Sequence, residues 1–284
     1  MMNETTPRNA AARALTLGAF AFCIACGMTG AASGQTVALN GDDVVTSRFL
    51  SGWRMENGHH MAAVEISLAQ GWKTYWRSPG DGGLAPELRI ESNAQIAAAW
   101  MHFPRPEVIF TAGTPNIGYH DHVVFPIELA MPRGLGPMAL SAELNIGVCD
   151  EICMPISLEL KGILPDSGAR DPMILQALAD QPTPAAEAGV GPARCAIRPI
   201  ADGLQVTVEV TAPDLGSPET MMLELPLPDV WISPPAFHRN AGQITATADL
   251  VPPQGLPFSM ERSDLRITLL GSHRAIEIEG CVAR

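Results

Sequence analysis

Lysine is almost missing from this chain: Lys73 and Lys161 are the only two among 284 residues, against 30 acidic side chains and a net charge of −12. A surface of that sign repels phosphate backbones and anionic lipid, so nucleic acid is not an expected partner. Long apolar runs are also lacking. Beyond residue 34 no segment approaches the roughly twenty apolar residues of a membrane-spanning helix. No thioredoxin-like CxxC occurs after residue 34, and Gly80-Asp81-Gly82-Gly83 lacks the lysine and helix that a phosphate loop requires, which makes it a turn. No Ser/His/Asp arrangement, metalloprotease motif or paired-carboxylate signature is present, so hydrolytic chemistry has no support.

What the chain does have begins with Arg8 and Arg13, then the apolar stretch Leu15 to Ala25, then small residues from Gly27 to Gly34. Basic, apolar and small, in that order, is the pattern of a secretory signal. The expectation is a signal peptide over residues 1–34, cleaved near residues 32–34, and a periplasmic mature protein. A lipoprotein that keeps and acylates Cys26 fits less well, because Cys23 stands where a branched aliphatic residue is preferred. The remaining chain of about 250 residues exceeds one typical domain.

Short runs of period two recur along it: Val64, Ile66 and Leu68; Val123 to Leu129; Leu140 to Ile146; Ile156, Leu158 and Leu160; Val206, Val208 and Val210; Leu265 to Leu270; Ile276 and Ile278. Broken by 25 prolines and 26 glycines, they predict an all-β protein of sandwich or barrel type. One segment differs. Asp171 as cap, Pro172 at the first helical position and the run Met173 to Ala179 predict a short helix. The Pro-, Ala- and Gly-rich stretch 182–192 reads as a linker. Expected boundaries are therefore 35–165 for a first domain, 166–191 for helix and linker, and 192–284 for a second domain.

Four cysteines follow the signal, and an even number in an oxidising compartment reads as disulfides. Joining Cys195 to Cys281 would tie the first strand of the second domain to its last, a loop of about 87 residues worth roughly 4 to 5 kcal/mol in the chain-entropy model. Cys149 and Cys153 enclose only Asp150, Glu151 and Ile152, a loop worth roughly 2 kcal/mol at best. The first pair looks structural and the second redox-active, since small exposed bridges are the easily reduced ones. With Asp150 and Glu151 beside them and no cation in the loop, the expected thiols have raised pKa values and attack poorly.

The run Gly71-Trp72-Lys73-Thr74-Tyr75-Trp76-Arg77-Ser78-Pro79-Gly80-Asp81-Gly82-Gly83, the pair Gly118-Tyr119 before Val123 to Leu129, and Cys149 to Pro155 together resemble the amino-terminal periplasmic domain of the DsbD and ScsB thiol-disulfide reductases. The resemblance spans about residues 37–164. It implies an immunoglobulin-like sandwich, and ScsB-like members imply a second one at 192–284. It implies a protein-disulfide reductase without cofactor or metal, taking electrons from a membrane-embedded DsbD- or CcdA-like donor and giving them to soluble thioredoxin-fold oxidoreductases. Cys153 would form the mixed disulfide and Cys149 resolve it. Tyr75 would border the active site, with Asp150 and Glu151 in its loop. Phe110, in the loosely matching stretch 106–110, would stand where the family has an acidic-aromatic cap. The cysteine loop is shorter than in DsbD, and neither a membrane domain nor a thioredoxin-like domain follows before Arg284, so the donor is expected to be a separate protein.

Two other classes compete. His120 and His122, two apart, would share a side on one strand and could hold copper together with free thiols. An adaptor using its sheet edges for docking is the third. Loss of function in Cys149→Ser and Cys153→Ser separates the exchange protein from the adaptor.

Overall fold

The computed structural model describes residues 44–284 apart from 92–94, 112–113, 133, 135 and 228. The expected signal segment, with Cys23 and Cys26, lies outside the described residues.

The first sandwich pairs two sheets. One runs β1(Val45–Arg54), β2(His60–Leu68), β8(His122–Ala130), β5(Ala98–Met101). The other runs β10(Cys153–Leu164), β9(Met138–Cys149), β3(Lys73–Tyr75), β7(Thr114–His120), β6(Glu107–Thr111), with β4(Glu87–Ile90) also on β9. Alternation decides what meets between them. Val64 and Ile66 of β2 and Phe125, Ile127 and Leu129 of β8 face Ile117, Leu144, Ile146 and Val148 of the opposing sheet. Each such fully buried side chain contributes about 1.5 to 3 kcal/mol.

Helix α1(Pro172–Ala179) forms as expected: the Asp171 carboxylate accepts from the Met173 and Ile174 amides at 2.8 and 3.4 Å. It lays Ile174 and Ala177 on Met61, Ala63 and Val124, which explains why β2 is buried on both faces from His60 to Ala63.

His60 in that strand is fully buried; its Nε2 lies 2.6 Å from the Ser51 carbonyl and its Nδ1 has no partner. Burial holds its pKa below the ordinary value; the Ser51 contact opposes this and Arg54 adds to it. The unfolded chain therefore takes up the proton first, and stability present above about pH 6.5 is lost as pH falls from there to the folded pKa. Thermal melts should show Tm falling between pH 7 and 5, with a flatter slope in His60→Gln.

The second sandwich pairs β11(Thr183–Pro184), β19(Ala275–Glu279), β18(Arg266–Leu270), β14(Thr220–Glu224) with β15(Trp231–Ile232), β17(Gln243–Val251), β13(Gly203–Thr211), β12(Arg194–Ile200), β20(Val282–Ala283); β16(Ala236–Asn240) also pairs β17. Both domains are thus immunoglobulin-like β-sandwiches. The stretch 182–192 is not slack: β11 pairs in parallel with β19, and Ala185, Ala188 and Val190 pack on the second core. Cys195 on β12 is bonded to Cys281, just before β20, with Cα atoms 5.8 Å apart.

The described residues cluster as one unit. Met222, Leu270 and Ala275 of the second sandwich join the hydrophobic cluster of the first. Arg105 adds a hydrogen bond to the Ser272 carbonyl at 3.0 Å.

Candidate functional site

Strand β3 splits its residues by period two. Trp72, Thr74 and Trp76 turn inward, where both tryptophans join the first core and the Thr74 hydroxyl donates to the Gly147 carbonyl at 2.9 Å. Lys73, Tyr75 and Arg77 turn to the outer face of the sheet. The register sets Lys73 opposite both Cys149 and His120, and Tyr75 opposite Gly118. Tyr75 is buried yet outside the core cluster, so something else must cover it.

That cover is local. β3 runs beside β9 at residues 148–149 and β4 runs beside it at 142–145, so the chain between them leaves the sheet as a strap. The strap returns to the sheet through the Ile117 amide, which donates to the Pro79 carbonyl at 2.9 Å. Its Gly83 and the strand residue Gly147 clasp the Tyr75 ring from two sides. A Cβ at Gly83 would lie 2.7 Å from Tyr75 Cδ1, and one at Gly147 3.1 Å from Tyr75 Cδ2 and 2.9 Å from Leu84 Cβ. Only hydrogen fits there. Gly147→Ala is expected to push the ring from its seat and to raise the access of small reagents to Cys149, read as faster alkylation of the Cys149 thiol by iodoacetamide in the reduced protein.

Cys149 and Cys153 are directly opposed on β9 and β10 as the last rung of a hairpin, bonded to each other with Cα atoms 4.1 Å apart. Asp150, Glu151 and Ile152 make the turn, closed by the Asp150 amide donating to the Ile152 carbonyl at 3.1 Å. The two sulfurs are unequal in access. Cys149 is fully buried and Cys153 is exposed. The Tyr75 hydroxyl donates to Cys149 Sγ at 3.0 Å and lies 3.6 Å from Cys153 Sγ and 3.4 Å from the Gly82 carbonyl. Burial pushes the Tyr75 phenol above its ordinary pKa, so near neutrality it remains a donor.

Lys73, buried at 6 % exposure, extends Nζ to the Asp150 carbonyl at 3.4 Å and brings a cation within one residue of Cys149. Asp150 and Glu151 are exposed at the turn. Ile152 in the turn and Leu84 against Gly147 are large apolar side chains left exposed.

Phe110 is not brought to this site. On β6 it pairs with Pro115, three positions beyond the Glu107–Gly118 pair in the direction leading away from Cys149, and alternation turns it to the opposite face from Glu107 and Tyr75. It stands 60 % exposed. The role of cover falls instead to the strap over Tyr75. The histidine pair is separated as well: Asp121, at φ 58°, ends β7 and the chain crosses to the other sheet. His120 then meets Glu107 at 3.2 Å and His122 meets Glu65 at 3.0 Å, so the single strand on which they would share a metal does not exist. Among the described residues no group of three His, Cys, Asp or Glu side chains is arranged to hold a metal ion.

Lys73, Gly83, Leu84, Gly147 and Ile152 are the site residues that sequence reasoning missed. Lys73 was within reach of it, because strand alternation places residue 73 on the same face as residue 75.

The site is thus an immunoglobulin-like sandwich with a cysteine pair bonded across the last rung of an open hairpin, one sulfur exposed and the other under a phenol. Residues 46–165 match the model of the family described as thiol:disulfide interchange protein DsbD, N-terminal. Over both sandwiches the fold is that of the N-terminal periplasmic domain of ScsB from Proteus mirabilis, a crystal structure with 23% sequence identity and a TM-score of 0.67, covering 87% of this chain and 96% of that one. No curated protein matches the chain. Among the described residues no helix is long and apolar enough to cross a membrane.

Proposed function

We propose that the chain is a periplasmic protein-disulfide reductase that carries electrons through Cys149 and Cys153. The observation that supports this most is the unequal access of the two sulfurs, with a hydroxyl donor on the buried one. In the donating direction the exposed Cys153 thiolate attacks a partner's disulfide, forming a mixed disulfide and expelling one partner thiolate. Cys149 thiolate then attacks Cys153 Sγ, the mixed bond breaks, and the second partner thiolate leaves with its electron pair. Two electrons have passed to the partner and the pair is oxidised. Recharging reverses the steps. An incoming donor thiolate attacks Cys153, and the leaving charge forms on Cys149, where the Tyr75 hydroxyl receives it and Lys73 lies close by. Charge-assisted hydrogen bonds of this kind are about twice as strong as neutral ones.

In this reading residues 1–34 are an export signal, 35–165 the redox domain, and the chain from 166 on supplies the connecting helix and then the second sandwich, which begins with β11. The donor is a membrane-embedded DsbD- or CcdA-like reductase, and the acceptors are soluble thioredoxin-fold oxidoreductases. Exposed Ile152, next to Cys153 in the chain, offers such partners an apolar contact.

The test equilibrates the mature protein in glutathione or dithiothreitol buffers of graded potential, traps free thiols, and maps them by mass spectrometry. Cys149 and Cys153 should titrate together and reversibly while Cys195 and Cys281 stay bonded. Equal resistance of both pairs would sink the proposal.

A further inference from the structure

The strap that covers Tyr75 is itself held from the second sandwich. Arg77, at its start, is largely buried over the Trp76 ring, with its guanidinium carbon 4.1 Å from the ring centroid. It donates from Nε and Nη2 to Glu224 at 2.9 and 3.1 Å, and from Nη2 to Glu277. Within the strap, Asp81 accepts from Trp231 Nε1 at 2.9 Å, although Trp231 is 50 % exposed. Asp81 adjoins Gly82, whose carbonyl is the third group at the Tyr75 hydroxyl. Beside these anchors a cleft of about 640 Å³ opens between the sandwiches, lined by Pro79, Ile117, Met222, Leu227 and Pro235 among others. The outer side of the strap is therefore held at a few polar points and not packed along its length.

We propose that the second sandwich is a positioning clamp for the disulfide site: Glu224 and Glu277 on Arg77, and Trp231 on Asp81, fix the strap that seats the Tyr75 hydroxyl on Cys149. The chemical consequence rests on the exchange function above, whereas the geometric one does not. Trp231 and Arg77 touch neither sulfur and act through Tyr75.

The two consequences call for two measurements on the full chain. The first is alkaline absorbance titration of the two tyrosines, with Tyr75→Phe identifying the Tyr75 transition. Trp231→Phe removes the N–H and keeps an aromatic ring; it should move that transition toward the ordinary tyrosine value near 10, because water enters beneath a loosened strap. Asp81→Ala should do the same, and Asp81→Asn, which retains an acceptor oxygen, should restore the wild-type transition. The second is the rate of disulfide reduction by dithiothreitol. Trp231→Phe should slow it several-fold, up to about tenfold for one hydrogen bond to a developing charge, and should add nothing in a Tyr75→Phe background. An unmoved Tyr75 transition in both Trp231→Phe and Asp81→Ala overturns the clamp, as do rate effects of Trp231→Phe and Tyr75→Phe that simply add. A wild-type pair that resists dithiothreitol defeats the exchange function and leaves the tyrosine titration to decide the clamp.

Discussion

Cys149→Ser is expected to accumulate a long-lived mixed disulfide, and Cys153→Ser to form almost none. With Cys149 replaced, the sulfur that remains is the exposed one at the hairpin end, open to glutathione or a partner, and no neighbouring thiol is left to expel what it captures. With Cys153 replaced, the remaining sulfur is fully buried, enclosed by Tyr75 and the strap. Attack needs a line of approach to sulfur as well as a thiolate. Mass spectrometry after incubation with oxidised glutathione should show the Cys149→Ser protein gaining one glutathione, and the Cys153→Ser protein reacting about a hundredfold more slowly or not at all. Electron transfer to a partner should vanish in both. Equal labelling of the two variants would mean that the difference in access is not what orders the reaction.

The second large effect concerns stability. Removing the other bridge as Cys195→Ala with Cys281→Ala should cost about 4 kcal/mol, the loop entropy of a closure with sequence separation 86. Here the bond joins β12 to the segment entering β20, two strands that meet side by side in parallel over only two residue pairs. So short a ladder has little strength of its own, and the covalent link keeps the carboxyl-terminal strand in place. Urea unfolding of the double variant should show a lower midpoint, with the Cys149–Cys153 bond still intact. Reduction and alkylation of Cys149 and Cys153 alone should shift the midpoint by no more than about half as much, given the small loop they close.

Much of this architecture was legible in the residues because it rests on local periodicity. The runs at 64–68, 123–129, 140–146 and 206–210 are strands, that at 265–270 is one from Arg266 on, and Asp171 caps the helix it was expected to cap. The two bonds expected of four cysteines are present, Cys195 with Cys281 and Cys149 with Cys153. What was not legible depends on register between distant strands. Counting charges within the cysteine loop found two acids and missed Lys73, which reaches the loop only because β3 is the neighbour of β9. Phe110 matched a sequence position, but alternation along β6 turned it away. His120 and His122 failed as a pair for a related reason: a single positive-φ residue between them sends the chain to another sheet. The glycines that clasp Tyr75 carry no signal of their own. Their meaning lies in the ring that each approaches, some 8 and 72 positions along the chain.

Met222, Leu270 and Ala275, which lie in the hydrophobic cluster of the first sandwich, bear on how the protein can be divided. A gene shortened to end at residue 165 would remove these three side chains and strip the salt-bridge partners from Arg77. The fragment would carry a fresh apolar face bordered by an unneutralised guanidinium, and such faces bring copies together. The family match covers the first sandwich alone, but the side chains of that sandwich are packed and paired with a neighbour in place, and the unit to express is the pair.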